Sequence, residues 1–479
     1  SEEYWHTRST GASRNDRIHP STSEINSALT NVQSNSGSSA SEGLRSYIGR
    51  MNYSAYDKYL LEFSFRVDGS SKFIKGHQYG FFPTVAVGWR FTEEEFLKKY
   101  LSSWLSSGKL RASWGKLGDN SGVGRFEQLE TLTAMNYMSS DVVKGFVNKK
   151  MINKDLSWEV STDINVGLDL GFLNNRLRTE IDFYNRLRTG MNRPSQMSIH
   201  LTGAYSAPRA NIGDLLNRGL ELNLTWKDKI GNVEYSVNLN GAYNRTVLKE
   251  WNEFLSRGWV YLDMPYHFLY VYENNGIAQT WQDIYNNTPQ GLSPGDVIRK
   301  DLNGDGIIDG KDKKAYPNIQ RDRPTTTYGI TLQAAWKGFD ISMLFNGGLG
   351  RKDFWLTDFN NTAFADRRYA STWDHWTEPW SLENRGGEWP RLGTSTDRSD
   401  NSYWLYNMNY LRMKNIMLGY NLPKKLLSKI SMTNLRIYAS AENLFTVTQY
   451  PGLDPEKKNS ARDLYPINRS FSIGLNVSF

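Results

Sequence analysis

Cysteine is missing altogether from the 479 residues, which removes disulfides, thiolate metal sites and cysteine nucleophiles together. Histidine is sparse. The six, His6, His19, His77, His200, His267 and His375, are scattered, and no HExxH pair, nucleophile elbow or phosphate-binding glycine loop accompanies them. Asp374-His375, set among tryptophans, reads as a loop contact rather than a general base. The run Glu93 to Glu95 lies at a helix start, where the dipole favours acidic groups. No residue is therefore assigned to a reaction. No apolar run reaches the length of about 18 residues that a membrane-spanning helix needs. A barrel strand needs only alternate apolar positions, so a mean hydropathy of −0.60 leaves a membrane barrel open. Lys and Arg total 57 against 50 Asp and Glu, a net charge of +7 spread along the chain rather than gathered in a block, which gives no ground for a nucleic-acid partner. Nothing at Ser1 resembles a signal peptide, and the chain reads as the later part of a longer one.

Aromatic residues, by contrast, are abundant, with 16 Trp, 27 Tyr and 21 Phe. Interfacial girdles of a barrel or sugar-stacking surfaces use such residues, as does a large sandwich core. The closing stretch, Ser470 to Phe479, is apolar at every odd position and small or polar at every even one. Ten extended residues at about 3.3 Å each, tilted by about 40°, rise roughly 25 Å, the height of an outer-membrane apolar band. An edge strand of a soluble sandwich has the same local pattern, so the rest of the chain must separate the two.

The same alternation recurs along the chain. It runs through Tyr47 to Tyr53, Tyr59 to Val67, Phe81 to Trp89, Leu110 to Trp114, Val160 to Leu170, Leu177 to Phe183, Leu220 to Trp226, Val233 to Tyr243, Tyr328 to Trp336, Phe339 to Phe345, Tyr410 to Tyr420, Leu435 to Phe445 and the closing strand. Gly231-Asn232 and Lys337-Gly338 read as hairpin turns. Thr92 reads as the N-cap of a short helix through Phe96-Leu97-Lys98-Lys99, and a second short helix starts at Pro423. Residues 1–44, rich in Ser, Asn, Gly and Thr, read as loop. Short links alternate with long loops (68–80, 117–157, 186–218, 244–326, 346–409 and 446–469). A sandwich has no reason to alternate so, whereas outer-membrane barrels place short turns in the periplasm and long loops outside. The expected fold is all-β, a transmembrane antiparallel β-barrel portion of about 13 strands. An odd number puts the chain ends on opposite sides of the membrane, with residues 1–44 an extracellular loop segment and 45–479 the barrel. Thirteen strands leave an open edge, and a barrel in lipid must close.

Several segments, taken in order, resemble the C-terminal barrel of SusC/RagA-type TonB-dependent transporters: Tyr47 to Tyr53, Asp68 to Phe73, Gly80 to Pro83 through Gly88-Trp89-Arg90, Leu110 to Gly115, Leu156-Ser157-Trp158-Glu159, Asn443 to Thr446, Gly452 to Glu456 and Tyr465-Pro466 to Phe479. The resemblance spans nearly all of the chain from residue 45 and implies a 22-stranded barrel. The plug, the TonB box and the remaining nine strands then belong to an N-terminal part that this chain does not contain. It further implies import of a bulky nutrient, an oligosaccharide or a peptide, across the bacterial outer membrane. The implied partners are a SusD-like lipoprotein that caps the barrel, the TonB complex acting through the plug, the N-terminal part of the same barrel, and membrane lipid. By the same resemblance Phe479 is part of the signal read by the barrel-insertion machinery.

Two loop motifs suggest chemistry. Asp301 to Asp312 sets side-chain oxygens at positions 1, 3, 5, 9 and 12 (Asp301, Asn303, Asp305, Asp309, Asp312), with Gly306 at position 6 and the Ile307 carbonyl at position 7. This is an EF-hand-type pattern, which predicts structural calcium that braces a long loop. Position 12 is Asp rather than the longer Glu, which shortens its reach. The second motif is the tryptophan-rich loop 346–409, where Trp355, Trp373, Trp376, Trp380 and Trp389 are candidates for stacking on sugar rings or peptide side chains. Packing the loop onto its neighbours or onto a partner lipoprotein is the plainer role for any one of them. Competing classes stay open at this point. One is a calcium-stabilised surface glycan-binding or adhesive β-protein; the other is a surface glycosidase, which requires two placed carboxylates in a groove.

Overall fold

The structure is a computed structural model. It describes all residues except 15–32, 102–103, 139–141, 149–150, 199, 201–206, 254–260, 267, 355–377, 388, 392–400, 428–431, 458–465 and 479. Fourteen strands form one antiparallel sheet in which each strand bonds the next in chain order. They are β1 (Glu2–Arg14), β2 (Gln33–Ala55), β3 (Tyr59–Ser70), β4 (Tyr79–Trp89), β5 (Leu105–Asp119), β6 (Glu159–Phe172) and β7 (Leu177–Thr189), followed by β8 (Asp214–Ile230), β9 (Val233–Glu250), β10 (Thr326–Trp336), β11 (Phe339–Leu349), β12 (Tyr410–Asn421), β13 (Asn434–Thr448) and β14 (Ser470–Ser478).

The count corrects the expected 13, and the extra strand comes from the segment expected to be loop. Glu2–Arg14 pairs with Gln33–Arg45. The register explains both the miss and its small consequence. At one end Ala55 faces Tyr59 across the short β2–β3 turn, and at the other Leu44 faces Ser70, the last residue of β3. Glu2 faces Arg45, so β1 and the first half of β2 form a hairpin that runs on past the long-loop end of the sheet. Thirteen strands cross the body of the sheet. Glu2 lies at its long-loop end and Ser478, opposite Asn434, at its short-turn end.

Register also assigns the faces. Directly opposed residues of an antiparallel pair share a face, and the chain Tyr59, Trp89, Leu110, Leu168, Ile181, Leu222, Gly241, Tyr328 is one continuous row. That face is apolar and open, with Phe471, Ile473 and Leu475 among its most exposed residues. Aromatics gather on it at the short-turn end: Tyr59, Trp89, Phe172, Trp226, Tyr235, Trp336, Phe339 and Tyr420. There the Trp226 indole donates to Tyr235 at 3.2 Å, and the Phe339 and Tyr420 rings meet at 4.4 Å, tilted by 35°. The opposite face is polar.

The turns follow their residues. Gly231 and Gly338 take φ of 59° and 90°, a region open to glycine at no steric cost, and a Cβ on Gly338 would meet the Asn421 carbonyl at 2.8 Å. Thr92 does not cap the helix. Its hydroxyl is buried, bonding the backbone N–H of Gly108 at 3.0 Å and reaching its carbonyl at 3.3 Å. The link folds instead as a 3₁₀ turn, Phe91–Glu93, and then the helix Glu95–Leu101.

Candidate functional site

Two structures qualify as functional: the polar face of the sheet and the assembly of long loops above it. Along the polar face, cross-strand ion pairs satisfy charges that a strand alternating with apolar residues must point inward. Arg111 on β5 is bidentate to Asp169 on β6 at 2.7 to 3.0 Å and reaches Asp182 on β7 at 2.8 Å. Arg186 pairs with Asp163 at 2.6 Å, Arg50 with Glu62 at 2.8 Å and Arg436 with Asp340 at 2.5 Å. Asn223, Asn238 and Asn240 form an amide ladder between them. A hydrophobic core has no use for such a wall.

Three of the segments read separately in the sequence pack into one cluster at the long-loop end. Phe73, Phe82, Val123, Leu156 and Trp158 are all buried there, with Phe73 and Phe82 set 5.2 and 5.6 Å from the Trp158 ring. The Trp158 indole donates to the Gln78 carbonyl at 3.0 Å. Next to it the buried Glu159 accepts from the Asn192 backbone at 2.7 Å and from Arg188.

The loops between β9 and β14 build a second packed unit from short antiparallel strand pairs. Phe268–Tyr272 pairs with Lys313–Gln320, Asn274–Ile277 with Val297–Arg299, and Lys352–Phe354 with Leu405–Asn407. Leu269, Val271, Val297, Phe354 and Trp404 form its core. Of the five candidate stacking residues, Trp380 and Trp389 fall in this unit; Trp355, Trp373 and Trp376 lie outside the described residues. Trp380 is 7% exposed and its indole donates to Gln279 at 3.0 Å. Trp389 is half-buried against the Leu269 cluster and against Met408 and Tyr450. Both rings are packed within the loop unit.

The Asp301 to Asp312 loop adopts the turn its glycines permit, with φ of 74° at Gly304 and 80° at Gly306. Its side-chain oxygens are turned onto its own backbone. Asp301 accepts from Gly304 at 2.7 Å and Gly306 at 2.9 Å, Asn303 from Asp305 at 3.0 Å, Asp305 from Ile307 at 3.0 Å, and Asp309 from Lys311 at 2.7 Å. Asp312 is fully buried and closes the loop by accepting from Asp309 at 2.8 Å and Leu302 at 2.9 Å. The N–H of Asp309, then those of Leu302 and Asn303, hold its carboxyl below the usual carboxylate range. Hard oxygen donors are present in the right chemistry for calcium. Among the described residues, no three His, Asp or Glu side chains are grouped as a metal ion requires.

Sequence reasoning missed the strongest polar constellation in the loops. Arg412, on β12 and 2% exposed, donates to Asp454 at 2.9 Å, Glu456 at 2.7 Å and Thr446 at 2.9 Å. Glu456 also accepts from Tyr410 and Asn346, each at 2.8 Å. Arg351, 1% exposed, donates to the carbonyls of Pro455, Glu456 and Lys457 at 2.9 to 3.1 Å. Two buried guanidinium groups thus fasten the segment 454–457 to the mouth of the sheet. The partners are about 40 and 100 residues away, so no local spacing could have announced them.

A sequence profile described as "TonB dependent receptor-like, beta-barrel" matches residues 4–444. The chain is similar to TonB-dependent receptor P3 of Formosa agariphila, 30% identical over 476 residues covering 91% of this chain and 45% of that protein. It is likewise 30% identical over 456 residues to TonB-dependent receptor SusC of Bacteroides thetaiotaomicron, covering 91% and 44%. The chain spans about half the length of the curated relatives it matches. In fold it resembles the RagAB peptide transporter, with a TM-score of 0.80 at 24% identity over all of this chain and 52% of that one.

Proposed function

The chain belongs to the TonB-dependent receptor β-barrel family, and from that premise we propose that it is the C-terminal part of an importer that moves a bulky nutrient across the bacterial outer membrane. The observation that carries this reading is the two-faced sheet. An apolar face with an aromatic belt suits lipid, and an ion-paired polar face suits a hydrated lumen. The sheet is open on both outer edges, and backbone groups in lipid must be paired. The N-terminal part of the same barrel therefore supplies the remaining strands, and the TonB complex acts through a plug in that part.

The loop unit above the lumen supplies the substrate surface and the seat for a SusD-like lipoprotein, the arrangement suggested by similarity to SusC and to a RagAB peptide transporter. An oligosaccharide or a peptide is the cargo. Trp355, Trp373 and Trp376 are proposed as stacking residues for it, with Trp380 and Trp389 holding their loop in place. Calcium is proposed to brace the Asp301 to Asp312 turn, held by Asp301, Asn303, Asp305, Asp309, Asp312 and the Ile307 carbonyl. It would neutralise the four carboxylates that the sequence sets within twelve residues.

Co-purification of the full-length protein from native membrane tests the reading. A lipoprotein partner and a bound glycan or peptide are expected, and uptake should require TonB. A protein that leaves the membrane without detergent, or that accumulates no ligand in a TonB-dependent way, would favour the adhesive alternative. Calorimetric titration with calcium, and proteolysis of the 301–312 loop with and without chelator, test the brace separately.

A further inference from the structure

The described residues of the β4–β5 link, 90–101 and 104, are anchored against the apolar face. Phe91, Glu94 and Trp104 fix them there. The Glu94 carboxylate accepts from the Tyr59 hydroxyl at 2.6 Å and the Trp89 indole at 3.2 Å, and Lys58 approaches it at 3.3 Å. Tyr59 and Trp89 oppose each other on the apolar face. Phe91 packs edge-on to Trp89 at 5.9 Å. At the far end Trp104 stacks on Phe172, another residue of the apolar face, with centroids 5.7 Å apart and rings 16° from parallel.

Between these anchors runs the helix Glu95–Leu101, which exposes Phe96 and Tyr100 beside the charged Glu95 and Lys98, and Trp104 follows it. Phe96 is 64% exposed, Tyr100 75% and Trp104 52%. Phe96 and Tyr100 are four residues apart and so share one helical face. Lys98, off that face, donates to Glu93 at 3.0 Å. In water this surface would be a liability, but both flanks of the link, Phe91 with Glu94 and then Trp104, are held on the aromatic belt formed by Tyr59, Trp89 and Phe172. Aromatic side chains with one polar tip concentrate at the level where lipid headgroups meet acyl chains.

We propose that this link is an interfacial anchor, lying in the headgroup layer of the inner, phospholipid leaflet of the outer membrane with Phe96, Tyr100 and Trp104 inserted in that leaflet. Glu94 is its positioning residue, since its carboxylate ties the helix entry to two belt aromatics. The anchor fixes the height of the barrel at its periplasmic end. The inference rests on the membrane-barrel placement of the sheet and is independent of which nutrient is carried.

The chain contributes no cysteine, so single cysteines can be introduced and labelled with an environment-sensitive fluorophore in the full-length protein in phospholipid nanodiscs. Tyr100→Cys is the reporter and Phe96→Cys its substitute should the first fail to assemble. Val166→Cys on the apolar face of β6 and Asn232→Cys in the β8–β9 turn are the lipid and water references. The label at 100 is expected to emit between those at 232 and 166, to be quenched by doxyl groups near the lipid headgroup, and to resist aqueous iodide. Adding Glu94→Ala, which removes the acceptor for both Tyr59 and Trp89, should shift it toward the water reference. If the label at 100 behaves like that at 232 while 166 reports lipid, the proposal is overturned, and the aromatic surface belongs to a periplasmic protein instead. A water-exposed label at 166 would overturn the barrel placement itself.

Discussion

Arg412 and Asp454 meet at 2.9 Å across 42 residues of chain, both almost wholly buried. A guanidinium removed from water is tolerated only when its donors are taken up, and here Asp454, Glu456 and Thr446 take all three nitrogens. Removing one partner leaves the other charge stranded. Arg412→Ala is expected to cost about 3–5 kcal/mol and to release the segment 454–457 to proteolysis. In a double-mutant cycle Arg412→Ala with Asp454→Ala should cost clearly less than the sum of the singles. Additive costs would show that the two do not act together.

Face assignment gives a sharper test, because adjacent residues should answer in opposite ways. Val166 on β6 lies on the apolar row and Asn165 on the polar one. Val166→Lys should destabilise the barrel by roughly 2–4 kcal/mol if it sits near the bilayer midplane, whereas Asn165→Lys should cost little. Urea titration of the folded barrel in lipid checks this. Equal costs would contradict the register.

The Asp312 loop should depend on pH in a defined direction. Its carboxyl is held below the ordinary range by backbone N–H donors. A depressed folded pKa contributes stability that is fully present above the unfolded value of about 4 and is lost as pH falls through the lower folded value. Hydrogen-exchange protection of 301–312 is therefore expected to hold from neutral pH down to about 5 and to fall in more acidic solution. Asp312→Asn should flatten that dependence, and Asp312→Ala should lower protection at every pH.

Trp380 can be separated into its two contributions. Trp380→Phe keeps most of the packing and loses the indole bond to Gln279, a change of about 1 kcal/mol. Trp380→Ala should cost about 3–5 kcal/mol. Limited proteolysis of the loop unit reads both. A Trp380→Ala protein with an unchanged loop but weakened ligand binding would instead place the indole in the substrate surface.

The strand of the main sheet that pattern reading missed shows what the pattern depends on. Glu2–Arg14 and its partner Gln33–Arg45 are mostly polar or small, with Tyr4 and Trp5 adjacent and so on opposite faces, so no period of two marks them. Besides the backbone ladder, Arg45 pairs with Glu2, and Arg125 reaches Glu42 and Thr7. Thr92 illustrates the converse. Its position invited a capping role, but tertiary packing against Gly108 claimed its hydroxyl. Glu94, read as one of three helix-dipole acids, turned out to bind Tyr59 and Trp89, a partnership that only the closeness of β3 and β4 creates.

By itself the sequence determined the two faces, the turns and the alternation of short links with long loops. Each is written locally, in a side-chain period of two or in a residue that tolerates positive φ. Tertiary structure alone decided the interior of the loops. Trp380 finds Gln279 at a separation of 101 residues, and Arg351 finds Pro455 at 104. Buried polar groups must be satisfied by whatever the fold brings near, and that neighbour has no fixed place along the chain.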